Sequence, residues 1–278
     1  MLSSILRSRH TCIIALRIGD VQRSCDVLAF SSPDGMQTPA SDIEQVNRSF
    51  YEPLWKQAHL VRPDRFNTWP IVSELSVNRS CLEVAPGLRP RMPLEGTQFV
   101  DLSENAVRAL QRAGARAKTG SIGDLPFADA SFEIVCAMDV VEHVSDDVGA
   151  LTELARVLTD EGILLLSVPL YARCWTTFDE LVGHYRRYEP EQLVLLLDSV
   201  GFTIERSAVY GMQPRSSKLL DLGMWFMERH RERAMWWYNN VFMPLGLRFQ
   251  KPLRLESGFL AAPGMDEVFL VCRKSQLH

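Results

Sequence analysis

The chain has 278 residues, 46% of them apolar and 23% charged, with 16 glycines and 15 prolines. That composition describes a globular α/β protein and excludes collagen-like, disordered and disulfide-scaffold chains. A net charge of −4 lacks the overall basic footprint with which nucleic-acid binders displace phosphate counterions, so no nucleic-acid partner is expected.

The first acid is Asp20, after Arg7, Arg9 and Arg17. Residues 1–40 therefore read as an extension, either disordered or an Arg-rich mitochondrial presequence that would send the protein to the matrix. Cysteines at 12, 25, 81, 136, 174 and 272 form no C-x-x-C pair and no cluster with histidine, which suggests a reducing, cytoplasmic setting without a metal. No apolar run approaches the roughly 18 residues of a membrane span.

Residues 41–78 carry Tyr51, Leu54, Trp55, Phe66 and Trp69 between Pro53, Pro63 and Pro70, the pattern of short helices forming a lid. Alternating strand and helix signals follow. Strands are expected at Cys81 to Ala85, Thr97 to Asp101, Ala115 to Thr119, Phe132 to Met138, Gly162 to Val168, Phe202 to Val209 and Glu267 to Arg273. Helices are expected from the Ser103 cap to Ala113, over Asp146 to Leu158 and over Glu189 to Ser199. The sum is an α/β, Rossmann-like, mostly parallel seven-stranded sheet with its last strand antiparallel and helices on both faces. The crossover from Pro86 to Gly96 holds three prolines and is short for a helix, so it is expected to be a loop.

Residues 211–264 form an α-rich insertion before the last strand. Within 215–254, eight basic residues face three acids, beside Trp236, Trp237, Tyr238 and Phe242. This cover segment packs on the core, joins two copies, or touches an anionic membrane peripherally.

Ligands of an open parallel sheet bind beyond the carboxyl ends of its strands. There the motifs CLEVAPG, FVDLSENAV, LPFADASFEIVCAMDVVEHV and LARVLTDEGILLLSVP occur in order. Over about Ser80 to Phe202 the sequence resembles the class I S-adenosylmethionine-dependent methyltransferases, particularly the type 11 group with its quinone-biosynthesis enzymes. The resemblance implies S-adenosyl-L-methionine as cofactor and a small-molecule or lipid-linked acceptor, methylated at oxygen, nitrogen or carbon. It implies cofactor contacts from Glu83, Ala85, Gly87, Asp101, Leu102, Ser121, Ile122 and Met138. Asp101 is then the ribose carboxylate, or else an acid satisfied by helix N-terminal donors; Glu83 holds the glycine loop or the cofactor's amino group. Ser121 stands where the family often has an acid.

His143 and His184 are the histidines expected near the sheet top, as bases for a hydroxyl acceptor. The segment FDELVGHYRRY, Phe178 to Tyr188, is expected to close over the acceptor as a lid together with Tyr51 to Trp69, and its arginines, Arg186 and Arg187, suit a carboxylate or phosphate on the acceptor, or surface ion pairs. The rival reading is a non-catalytic binding protein that kept the fold while its first cofactor motif decayed. A nicotinamide dehydrogenase is disfavoured because no G-x-G-x-x-G follows the first strand.

Overall fold

The computed structural model describes residues 51–275 except 53, 57, 212–222, 224, 227–228 and 261–264. The expectations for residues 1–40, and for the parts of 41–78 and 211–264 among those exceptions, lie outside the described residues.

Strands β1 (Cys81–Val84), β2 (Thr97–Asp101), β3 (Arg116–Thr119), β4 (Phe132–Met138) and β5 (Leu158–Pro169) are joined by β6 (Phe202–Val209), β7 (Glu256–Ser257) and β8 (Glu267–Lys274) in one sheet of order β3-β2-β1-β4-β5-β8-β6-β7. The first five pair in parallel, whereas β8 runs antiparallel between β5 and β6. The sheet has eight strands rather than the expected seven. The addition, β7, is a two-residue exposed edge pairing Arg206 with Ser257 and Ser207 with Glu256. It has no apolar alternation to announce it.

Alternate residues of the central strands enter two separate cores because both sheet faces are covered. Leu82, Val100, Val135, Leu164 and Leu166 meet Leu151 and Leu154 of helix α3 (Asp147–Val157) and Leu193 and Leu197 of α5 (Pro190–Ser199). On the other face Phe99, Ile134, Leu165 and Phe269 meet Val72 of α1 (Trp69–Leu75) and Val107 and Leu110 of α2 (Glu104–Arg112). The Ser103 side chain caps α2 by accepting from the Ala106 N–H, and Asp146 caps α3 through the Gly149 N–H. Substituting such a cap costs about 1 kcal/mol.

No helix links β1 to β2; the proline-bearing loop expected there runs across the sheet end. Its Met92 is fully buried in the second core, a burial that contributes about 1.5–3 kcal/mol. Thus the loop is packed in place although it lacks internal ladder bonds.

A third, smaller core stands apart. Leu54, Val182 and Met235 gather with Tyr51, Trp55, Phe178 and Tyr238, joining the helical residues near Tyr51, helix α4 (Thr177–Val182) and helix α6 (Arg231–Trp237). This cluster builds the roof over the strand ends.

Candidate functional site

Strand order reverses between β1 and β4, and a crevice there is the expected ligand position of a doubly wound sheet. Both strands leave the sheet through a non-glycine residue in the left-handed region, Ala85 at φ 54° and Asp139 at φ 53°. Each such conformation costs about 1–3 kcal/mol and is retained where surrounding structure enforces it. Between them lies a cavity of about 380 Å³.

Glu83 and Asp101 build one wall. Glu83, 2% exposed, accepts from the backbone N–H of Arg91 at 2.8 Å and of Met92 at 2.9 Å. It therefore holds the β1–β2 loop, the first of its two expected roles. Asp101 accepts from the Gly87 N–H through Oδ2 and the Ser103 N–H through Oδ1, both at 2.8 Å. Its carboxylate thus fixes the turn, and because each oxygen accepts twice, it retains acceptor capacity on a residue that lines the cavity. Gly87, at φ 54°, is required for space as well: a Cβ there would stand 2.2 Å from the Trp55 ring.

Burial raises both acids against the pull of those N–H donors, Glu83 to about 7 and Asp101 to about 6. A folded-state value above the ordinary one means that the native state binds the proton more tightly. Stability therefore rises as pH falls from about 7 towards 4.5, the ordinary glutamate value. In Glu83→Gln the gain measured by urea unfolding between those limits is expected to shrink; an unchanged gain would assign it elsewhere.

Ala85, Leu102, Ser121, Ile122 and Met138 also line the cavity. Ile122 is buried and Leu102 is 63% exposed. The Ser121 hydroxyl accepts from the Gly123 N–H at 3.3 Å, so it shapes its own turn.

His143 also lines the cavity. Its Nδ1 is 3.2 Å from the Gly183 carbonyl, which only accepts, so Nδ1 carries the hydrogen. Burial, with His184 alongside, lowers its pKa to about 3, leaving Nε2 as an acceptor 3.5 Å from the Tyr51 hydroxyl. His184 does not line the cavity. It packs edge-on against His143 with ring centroids 4.5 Å apart, and its Nδ1 lies 2.8 Å from Asp179.

Behind the pair sits Glu142, 1% exposed, with both carboxylate oxygens lacking a hydrogen-bond partner. Burial, then Asp139, raises its pKa well above the ordinary value. Glu142, His143 and His184 bring one ligand-type atom each within 4.8 Å of the others, the one such group of three found among the described residues.

One alternative falls away and one expectation needs correction. Arg186 and Arg187 are not presented to a ligand: Arg187 forks onto Asp179 at 2.9 and 3.0 Å, and Arg186 pairs with Asp147 and bonds the Ser145 carbonyl at 2.6 Å. Phe178 to Tyr188 accordingly buttresses His143 instead of lining the cavity, whereas Tyr51 and Trp55 do line it. Arg89, Arg91 and Asp139 also line it and were not singled out in the sequence. Asp139, directly after β4, was within reach of the strand-end rule. The arginines belong to a loop whose path no periodicity gives.

Residues 95–166 match the methyltransferase domain family. A Mycobacterium tuberculosis protein named as a probable S-adenosylmethionine-dependent methyltransferase is 31% identical over 107 residues, 37% of this chain and 39% of the relative. The uncharacterised methyltransferase YcgJ of Bacillus subtilis is 30% identical over 109 residues, 39% of this chain and 43% of that one. The chain thus spans about two-fifths of the length of these curated relatives.

Among solved structures, the [4+2]-cyclase SpnF superposes at a TM-score of 0.52 with 18% identity, over 84% of this chain and 94% of that one. A Thermotoga maritima methyltransferase described as a possible histamine N-methyltransferase gives 0.51 and 17% over the same shares. At these identities the likeness establishes the fold.

Proposed function

We propose that the chain, whose residues 95–166 match the methyltransferase domain family, is a class I S-adenosylmethionine-dependent methyltransferase that binds S-adenosylmethionine in this cavity and transfers its methyl group to a small or lipid-linked acceptor. The observation that carries the reading is the joining of Asp101 to the Gly87 turn at the strand-order switch, inside a cavity that a neutral imidazole also lines.

The residues present fit the cofactor. The Asp101 carboxylate has acceptor capacity for a diol, Ile122 and Met138 offer apolar contact to a base, and Gly87 lets the Trp55 ring close onto the turn beside them. When bound, the cofactor supplies an electrophilic sulfonium methyl. The chain's own part is to hold the acceptor in line with it, and such positioning provides much of the acceleration of a displacement. Where the acceptor is a hydroxyl or amine, the Nε2 of His143 takes the departing proton, Gly183 fixes its tautomer, and Asp179 holds the supporting His184. Ala85, Leu102 and Ser121 complete the cofactor wall.

Calorimetry and thermal shift with S-adenosylmethionine and its demethylated product test the reading. Binding is expected, with a raised melting temperature. Asp101→Asn must turn an amide N–H towards the donor of Gly87 or of Ser103. At about 1.5–3 kcal/mol for a hydrogen bond to a charged group, binding weakens on the order of tenfold to a hundredfold. Equal, tight binding by both proteins removes Asp101 from the site. No shift at saturating ligand favours the non-catalytic scaffold.

A further inference from the structure

The insertion presents one surface that neither the sheet nor the cavity accounts for. Trp225, Trp236, Trp237, Phe242, Leu245 and Phe249 are between 45% and 72% exposed. Three of them touch: the rings of Trp236 and Trp237 are 5.6 Å apart and those of Trp237 and Phe242 6.4 Å apart. Trp236, Trp237, Phe242 and Leu245 occur along the continuous run of α6, a π-helical turn at Tyr238–Phe242 and helix α7 (Met243–Arg248), and Phe249 directly follows it. Contiguous exposed aromatic groups of this size mark a contact surface.

The charge around the patch identifies what it contacts. Arg229, Arg231, Arg233, Arg248, Lys251 and Arg254 are exposed alongside, while Glu232 is the one exposed acid among the described residues from 223 to 254. A protein whose net charge is −4 thus concentrates basic groups around its exposed tryptophans. Tryptophan and phenylalanine settle at the boundary between headgroups and acyl chains, and arginine and lysine pair with anionic headgroups, each contributing about 1 kcal/mol near the surface. A second copy of this chain would bring the same basic rim against itself.

The patch is also wired to the cavity. Arg89, in the cavity wall, donates to the Tyr238 hydroxyl at 3.1 Å, with its guanidinium 5.0 Å from the Tyr238 ring and 5.3 Å from that of Trp55. Tyr238 directly follows Trp236 and Trp237, so these two exposed rings lie within one helical turn of a residue anchored to the cavity wall.

We propose that the aromatic and basic face of residues 229–254, with Trp225, docks on an anionic lipid bilayer and presents the cavity to an acceptor drawn from that bilayer. The docking half stands alone; the acceptor half rests on the transferase reading above.

Vesicles of phosphatidylcholine with and without phosphatidylglycerol test it by co-sedimentation of the full chain. Binding to the anionic vesicles is expected, falling with salt, and weaker by at least about tenfold when Trp236, Trp237 and Phe242 are all replaced by serine. Arg233→Glu with Arg248→Glu should lower binding to anionic vesicles alone. Retention of the thermal shift with S-adenosylmethionine shows that a variant is folded; should the triple variant lose it, Trp236→Ser and the charge-reversal pair carry the comparison. Equal sedimentation of wild type and folded variants, sedimentation of neither, or a dimer that the serine changes dissolve without any vesicle binding overturns the proposal. Vesicle binding without any cofactor-induced shift would leave the docking surface standing and overturn the transferase reading.

Discussion

Asp179→Ala is expected to destabilise the protein by about 3–5 kcal/mol, the cost of stranding one partner of a buried ion pair. Asp179 and the Arg187 side chain are both fully buried. The carboxylate accepts from Arg187 twice, from His184, and from the backbone and hydroxyl of Thr176. Removing it leaves a guanidinium in the interior with only the carbonyls of Leu170 and Asp266 at 3.4 and 3.5 Å. It also deprives α4 of its capping box. Equilibrium unfolding in urea measures the loss, and a change below about 1 kcal/mol would mean that water or a shifted chain satisfies Arg187.

The pH dependence has a definite sign. Burial alone would raise the Asp179 carboxyl, but the hydrogen bonds from His184 and Arg187 outweigh it and hold the group well below the usual carboxylate range. A depressed folded-state value contributes stability that is fully present above the unfolded value near 3.8 and is lost as pH falls below it. Acid unfolding of the Asp179→Ala protein should therefore be shallower below pH about 4. This runs opposite to the share assigned to Glu83, which grows as pH falls from about 7.

The elements legible in the sequence were those with a complete local signal. Phe132–Met138 and Phe202–Val209 occupy the expected bounds because each is a continuous apolar or alternating run with turn residues at its edges. β5 begins at Leu158, four residues before the expected Gly162, since the chain passes from α3 directly into pairing with Phe132 and then shifts register before Ile134 meets Ile163. Nothing local marks a bulge whose cause is the partner strand. The charged residues of the site were less legible for a related reason. Arginine suits an anionic ligand and a buried carboxylate equally, and the partners of Arg186 and Arg187, Asp147 and Asp179, are set by the fold and not by helical spacing. The cavity itself was locatable, because the strand-end rule needs only the order of strands, and the residues after β1, β2, β3 and β4 do meet there. That the Glu142 carboxyl has no hydrogen bond and only His184 Nε2 at 3.9 Å was not legible, since it depends on which groups the fold brings beside it.

His143→Asn is expected to lower kcat by about tenfold to a hundredfold if the acceptor is a hydroxyl or amine, below the roughly 10²–10⁴ of a base matched to neutral pH, because burial weakens this imidazole as a base. Asparagine can still donate to the Gly183 carbonyl but offers no basic nitrogen. Cofactor affinity should hold, because the acids and turn that carry it, Glu83, Asp101 and Gly87, make their hydrogen bonds among themselves and to Arg91, Met92 and Ser103 and not to His143, so the effect is confined to turnover. Burial and the neighbouring His184 keep the imidazole neutral down to about pH 3. Its lone pair is therefore available throughout the neutral range, and the kcat profile should show no limb near 6.5, the ordinary histidine value. A limb at that pH that vanishes in His143→Asn would mean that the ring opens to solvent during turnover. Tyr51→Phe tests the neighbour of Nε2. With the hydroxyl 3.5 Å away removed, the nitrogen loses a competing donor, and kcat is expected to stay within about threefold, the size of change that loss of a weak neutral hydrogen bond produces. A fall as deep as that of His143→Asn would move the proton-accepting role from the imidazole to the Tyr51–His143 pair.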